Sequence, residues 1–137
     1  MYHFPEGAIV DDRVTSLKSL HVMTRDVGGS PMSFVLVSET SDQPVDAVVA
    51  DRLEAAELSS PQFRGIQRVA CSMGGLEGVS FGWELFDEDA GRVAAHQIIA
   101  RYADRLVSLS ATFPAAKRQA GIDVMHALAE AVRWRGL

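Results

Sequence analysis

Val79-Ser80-Phe81-Gly82-Trp83-Glu84-Leu85 alternates large apolar residues with small or polar ones at a period of two, the pattern of a strand with one face on a core. Asp87-Glu88-Asp89-Ala90-Gly91 follows at once, a polar stretch ending in glycine that suits a hairpin loop. Beyond it, Arg92 to Tyr102 is a second strand-like run, and Leu106 to Phe113 a third. On the other side, Ile66 to Met73 reaches the Gly74-Gly75 turn just before the quoted stretch. Four consecutive strand-like runs with short turns favour antiparallel pairing, because a parallel connection needs a crossover of a dozen or more residues.

Further out, Gly28-Gly29-Ser30-Pro31 is a strong turn signal. It separates a loosely alternating run, Arg13 to Met23, from a Phe- and Val-rich strand, Ser33 to Ser38. Phe4-Pro5-Glu6-Gly7 reads as a turn after a short opening strand. Pro44 suits the first turn of a helix, with Asp46 near its positive end, and Val45, Val48, Val49, Leu53 and Ala56 recur at helical spacing to about Leu58. After Pro114 a closing helix carries Ile122, Met125, Leu128, Ala129 and Val132 on one stripe. Gly121 within it costs about 1 kcal/mol against alanine, which predicts an irregular first turn. The order is β-β-α-β-β-β-β-α. The expected architecture is one α+β domain over 1–137, an antiparallel sheet of about six strands with two helices packed on one face.

The chain of 137 residues suffices for one buried core, and its 47% hydrophobic and 23% charged residues are those of a globular protein. A net charge of −5 with scattered basic residues argues against a nucleic-acid or anionic-membrane surface. Arg133 and Arg135 around Trp134 are the densest basic cluster and read as a solvated helix end. The single cysteine, Cys71, excludes an internal disulfide and fits a reducing compartment. The residues from Met1 to Pro5 lack a basic n-region and a long apolar run, and no stretch approaches the ~20 apolar residues of a membrane span. A cytoplasmic protein without direct membrane insertion is expected.

The candidate chemistry is thin. His3, His21, His96 and His126 are far apart and form no H-x-x-x-H, so His96 reads as a core or interface residue and no metal is expected. Cys71 shares a strand side with Val69 and Met73 and reads as an inert thiol. Gly74-Gly75-Leu76-Glu77-Gly78 matches neither dinucleotide nor P-loop spacing and leads into a strand. Asp11-Asp12 and Asp87-Glu88-Asp89 sit in polar turns, and no G-x-S-x-G elbow is present. No catalytic residue and no cofactor are expected, and an enzyme is unsupported.

The anomaly lies in the strands. Phe34 and Leu36 point one way while Val35 and Val37 point the other; Ile98 and Ile99 repeat this, and Ser108, Ser110 and Thr112 stand opposite Val107, Leu109, Ala111 and Phe113. A sheet with one solvated face shows polar residues at every second position. A second face of Val, Ile, Leu, Ser, Thr and Gln instead suits contact with another protein, whether a client or a second copy.

Phe4-Pro5 with its acidic turn, Ser33-Phe34-Val35-Leu36-Val37, Asp51-Arg52-Leu53-Glu54-Ala55-Ala56-Glu57 leading to Pro61 and Phe63, Gly78 before an aromatic strand, Gly91-Arg92 and Gln97 together resemble the DcrB-related domains. Within these the chain is similar to the Eag-type chaperones of type VI secretion effectors. The resemblance covers nearly the full chain. It implies a PsbP-like α/β sandwich and a homodimer whose exposed sheet surfaces hold the apolar N-terminal transmembrane helices of a secreted toxin and aid its loading for export. The exported lipoprotein N-terminus of DcrB-type members is not seen, which favours the cytoplasmic chaperones. By position, Thr15, Leu17, Ser33, Val37 and Gln97 correspond to client-binding residues; Val35 and Ile99 are added from alternation alone. The other reading is a non-catalytic interaction module of the same fold that binds a folded partner.

Overall fold

In the computed structural model, residues 2–4, 7–9 and 20–135 are described. Thr15 and Leu17 lie outside them, as do Val14 and the Asp11-Asp12 pair. The strands are β1 (Tyr2–Phe4), β2 (Gly7–Ile9), β3 (Leu20–Val27), β4 (Ser30–Thr40), β5 (Arg64–Met73), β6 (Leu76–Asp87), β7 (Gly91–Tyr102), β8 (Arg105–Pro114) and β9 (Val132–Trp134). Helix α1 spans Val45–Ser59 and α2 Arg118–Glu130, the latter entered through a 3-10 turn at Ala115–Lys117.

Six strands form one antiparallel sheet in the order β3-β4-β8-β7-β6-β5; short turns join β3 to β4 and β5 through β8, and the pairing of β4 with β8 unites the two groups. The hairpin at Asp87 is built as its sequence indicates: the Asp87 carboxylate accepts the backbone N–H groups of Asp89 and Ala90, both at 2.8 Å. Those two donors, Ala90 first, hold the Asp87 carboxyl below the usual carboxylate range. Strand β3 is displaced from expectation. It runs to Val27, directly against the Gly28-Gly29 turn, and pairs residue for residue with β4.

The short opening strand is present as β1, and it belongs to a second, three-stranded sheet, β1-β2-β9, which the sequence does not announce. Its last strand contains Val132 and Trp134, expected as helix stripe and solvated helix end. Instead α2 stops at Glu130, and Trp134 is buried, donating its indole N–H to the Met73 carbonyl (2.9 Å) and stacking on Tyr102 at 4.8 Å.

The helices do not share a face. Helix α2 covers Met23, Phe34, Leu36, Ile98, Ala100, Val107, Leu109 and Phe113 with Met125, Leu128 and Ala129. Helix α1 lies on the opposite side, where Val48 and Val49 meet Phe81, Ile99 and Leu106. The expectation of two helices on one face is therefore corrected, and the reason is visible in β7. Ile98 and Ile99 are neighbours pointing opposite ways, and both are fully buried. Such a strand needs a cover on each side, and the chain supplies one helix for each.

The approach of α2 to the sheet depends on Gly121. A Cβ there would lie 2.5 Å from the Phe113 ring, so the helix rests its glycine on the aromatic ring. The glycine that looks like a weak point in a helix is a packing surface.

Candidate functional site

The face bearing α1 is only partly covered. The helix roofs β6 and β7, burying Val79 and Trp83 partly and Phe81 and Ile99 fully. Its apolar residues reach as far as Leu106 at the start of β8, and its Arg52 side chain extends to Glu39 of β4; past these the helix leaves the face uncovered. There β3 presents Leu20 and Val22, each 47% exposed, together with exposed Thr24. Strand β4 adds exposed Ser33 and half-buried Val35 and Val37, and β8 adds half-buried Ser110 and exposed Thr112. The register sets these side by side: Leu20 opposite Val37, Val22 opposite Val35, Thr24 opposite Ser33 and Val35 opposite Ser110. The result is a shelf three strands wide, made of valine, leucine and small hydroxyl residues.

Of the residues expected to touch a client, the structure brings Ser33, Val35 and Val37 onto this shelf. Gln97 stands at its inner border, opposite Ser110 of β8. Ile99 does not belong. It is 0% exposed beneath α1, so its outward alternation is satisfied within the chain. Ser108, expected among the small residues of the same surface, is likewise buried, as its hydroxyl accepts from the Arg52 guanidinium at 3.1 Å. The shelf is thus smaller than alternation suggests.

Arg52 was not singled out from the sequence as a site residue. It projects from α1 toward the border of the shelf, where Nη1 donates to Gln97 Oε1 (2.7 Å) and Ser108 Oγ, and Nη2 pairs with Glu39 of β4 at 3.3 Å. The side chains are 27% and 50% exposed, so this ion pair is a rim feature and contributes under about 1 kcal/mol. Its hydrogen bonds to the sheet are the more specific element.

Two other places hold chemistry-bearing side chains. On the α2 face, Ser80 Oγ lies 2.6 Å from His96 Nε2 and 3.1 Å from His126 Nε2, beside a cavity of about 240 Å³ lined by Arg118, Gln119 and Ile122 among others. Among the described residues the buried His96 Nδ1 has no hydrogen-bond partner, so none of them orients the ring as the third group of a serine–histidine nucleophile would. Burial first, then His126 and Arg118, lower the His96 pKa to about 4, leaving it a weak base at neutral pH. An unpartnered N–H would cost more here than an unpartnered lone pair. The consistent assignment has His96 Nε2–H donating to Ser80 and the Ser80 hydroxyl donating to His126.

A wider hollow of about 590 Å³ opens between the start of α1 and the ends of β5, β6 and β7, with Val45, Ala70, Cys71, Leu76 and Arg101 on its wall. Arg101 is committed to the loop before α1, donating to the carbonyls of Ser41 (2.6 Å) and Gln43. Burial pushes the Cys71 thiol up, away from thiolate character. Among the described residues no three His, Cys, Asp or Glu side chains converge as a metal site would need, and no helix is long and apolar enough to cross a membrane.

Solved structures share this architecture. The Pseudomonas aeruginosa protein PA94, of unknown function, superposes with a TM-score of 0.70 at 20% identity over 90% of this chain and 88% of its own. Cyanobacterial PsbP from Synechocystis sp. PCC 6803 gives 0.56 at 10% identity, covering 82% and 81%. LpqN of Mycobacterium tuberculosis, involved in cell envelope biogenesis, gives 0.57 at 15% identity, covering 96% and 87%. The fold is therefore the PsbP-like α+β sandwich. No family model matches the sequence and no curated protein is similar to it.

Proposed function

We propose that this chain is a non-catalytic cytoplasmic chaperone of the Eag kind, within the DcrB-related domains. It shelters the apolar N-terminal helices of a type VI secretion effector and aids loading for export. The observation that carries the reading is the shelf. Leu20 and Val22 are nearly half exposed on a strand whose opposite face is core, beside Val35, Val37, Ser33, Ser110 and Thr112, and the exposed carboxylates of Asp26 and Glu39 flank this apolar stretch on β3 and β4. Large apolar residues at successive outward positions of a sheet are costly to leave in water and mark a contact surface.

Chemistry favours a helix as the occupant. The shelf's hydroxyl and valine side chains are short, so a helix with small residues on one side can bring its backbone close. Covering ~500 Å² of apolar surface would contribute roughly 12 kcal/mol before the costs of association. A second copy of the chain is part of the same proposal, since the resemblance implies a homodimer presenting one such surface from each protomer.

The test is coexpression with the N-terminal apolar segment of an effector encoded beside this gene. The wild-type chain should hold the segment in the soluble fraction. Leu20→Asp and Val22→Asp, each placing a charge at an exposed position, should reduce recovery at least fivefold while circular dichroism stays unchanged. Undiminished recovery in both would refute the assignment of the shelf.

A further inference from the structure

We propose that Arg52 is the positioning residue of the shelf. By capturing the carbonyl oxygen of Gln97 it fixes that carboxamide, so that the N–H2 end alone is offered to a bound helix. The inference rests on the helix-sheltering reading above and adds to it the polar chemistry that the client must satisfy.

The geometry begins with the guanidinium. Arg52 Nη1 donates to Gln97 Oε1 at 2.7 Å and to Ser108 Oγ at 3.1 Å, and Nη2 reaches Glu39 Oε1 at 3.3 Å. One side chain on α1 therefore joins β7, β8 and β4 along the line where the helix-covered half of the sheet meets the shelf. A free glutamine presents either end of its amide by rotation about its last bond, and so reads a donor and an acceptor alike. A planar, permanently charged guanidinium removes that choice, because it has donors only and binds only the oxygen. The amide nitrogen is then directed away from Arg52. Gln97 lies opposite Ser110 in the register, and Ser110 lies opposite Val35, so the fixed donor sits at the inner edge of the floor of valine, leucine and small hydroxyl side chains.

A fixed N–H2 at the edge of this floor selects its partner, whereas the rotatable hydroxyls of Ser110 and Ser33 serve as donor or acceptor alike. It is satisfied by a carbonyl or hydroxyl oxygen and left unpartnered by a purely hydrocarbon surface, and a buried unpartnered donor is costly. On a helix, backbone carbonyls come within reach where the covering side chains are small. Arg52 thus makes the shelf favour a helix carrying Gly, Ala or Ser where it crosses Gln97, over an equally apolar helix of leucine throughout. Arg52 touches the client through Gln97, not directly.

Two synthetic 20-residue membrane-type helices serve as probes. One carries alanine along a single stripe, and the other has leucine at the same positions. They are measured against the full chain as wild type, Arg52→Leu, Arg52→Lys, Gln97→Ala and the Arg52→Leu/Gln97→Ala double variant. The wild type should bind the alanine-striped probe about tenfold tighter. Arg52→Leu and Gln97→Ala should each reduce that preference to twofold or less, with no further loss in the double variant and little change toward the leucine probe. Arg52→Lys, which keeps the charge without the planar fork, should fall between.

The lock is also read without any probe, from the Gln97 side-chain amide signals of ¹⁵N-labelled protein. Their separation should collapse toward free-glutamine values in Arg52→Leu. An unchanged Gln97 amide, an undiminished preference in Arg52→Leu, or additive losses in the double variant would each overturn the proposal. Failure of the wild type to bind either probe would instead remove the sheltering reading, and this inference with it.

Discussion

At Gly121 an ideal Cβ would fall 2.5 Å from two carbons of the Phe113 ring, inside any real contact distance. Helix propensity alone would have alanine there stabilise α2 by about 1 kcal/mol. The packing argues the reverse, because lifting α2 off β8 disturbs Phe113, Met125 and Ala129 together, and such overpacking costs about 1–3 kcal/mol. Gly121→Ala should therefore lower the stability by up to about 2 kcal/mol once the propensity gain is offset against the overpacking, read as a lower urea midpoint at constant m-value; a raised midpoint would show slack above Phe113. His96 gives a second residue-scale expectation, with a defined sign. Its pKa is about 4 in the folded protein against 6.5 for the free side chain, so between those values the unfolded chain binds a proton that the native one refuses. Stability from this group is fully present above about pH 6.5 and is lost as the pH falls toward 4, by about 2 kcal/mol between pH 7 and pH 4.5. Urea unfolding of the wild type against His96→Gln at both pH values isolates the effect, and parallel pH dependences would contradict it. Neither residue's environment was legible in the sequence. Histidine spacing gives no sign that β7 and α2 bring His96 and His126 onto one serine, and a glycine in a helical stripe looks the same whether it is tolerated or required.

Elements were more legible than their partners. The period-two runs of β6 and β8 and the turns at Gly74-Gly75 and Asp87–Gly91 fixed the strands and their antiparallel order, because turn length and side-chain alternation are local properties. Which side each helix would cover was not local. Val48, Val49 and Ala56 mark a buried stripe on α1, yet nothing in the stripe says which face receives it. Ile98-Ile99 shows the limit. Two adjacent apolar residues in a strand state that both faces are covered, without saying whether the cover is another chain or the protein's own helix. The second face divides: Val35 and Val37 remain partly exposed and free to meet a partner, whereas Ile99 is buried by α1. Trp134 failed in a different way. Flanking arginines made it look solvated, whereas Arg133 and Arg135 point outward from a strand whose alternate residues, Val132 and Trp134, are core. The period had switched from helix to strand within three residues, too short a run for alternation to register.

For the molecule as a whole, the decisive asymmetry is between the two sides of one sheet. The α2 side holds the larger core, from Met23 and Phe34 through Leu109 and Phe113 to Trp134, and Glu84 fastens α2 and β7 to it by accepting from Arg118 (2.6 Å) and Arg92 (3.3 Å). On the α1 side, Val48, Val49, Phe81, Ile99 and Leu106 make a much smaller cluster. What else ties α1 to the sheet includes the Arg52 bonds and the exposed Arg68–Asp46 ion pair, and exposed ion pairs add little. Opening free energy follows buried apolar contact, so the two helices should not unfold together. Amide hydrogen exchange at neutral pH should show α1 opening at least tenfold more readily than α2, while the central strands β7 and β8 exchange only through global unfolding. The same experiment on Arg52→Leu should increase exchange across Val48–Ala56 and leave Met125–Ala129 unchanged. Equal protection of both helices would mean that the α1 cluster is as strong as the main core, and the border beside the shelf would then be rigid. A more readily opened α1 has a direct consequence for binding. The helix forms the inner wall of the shelf, so small displacements of it would widen the surface for clients of different girth, while the α2 side keeps the sheet's twist and register fixed beneath them.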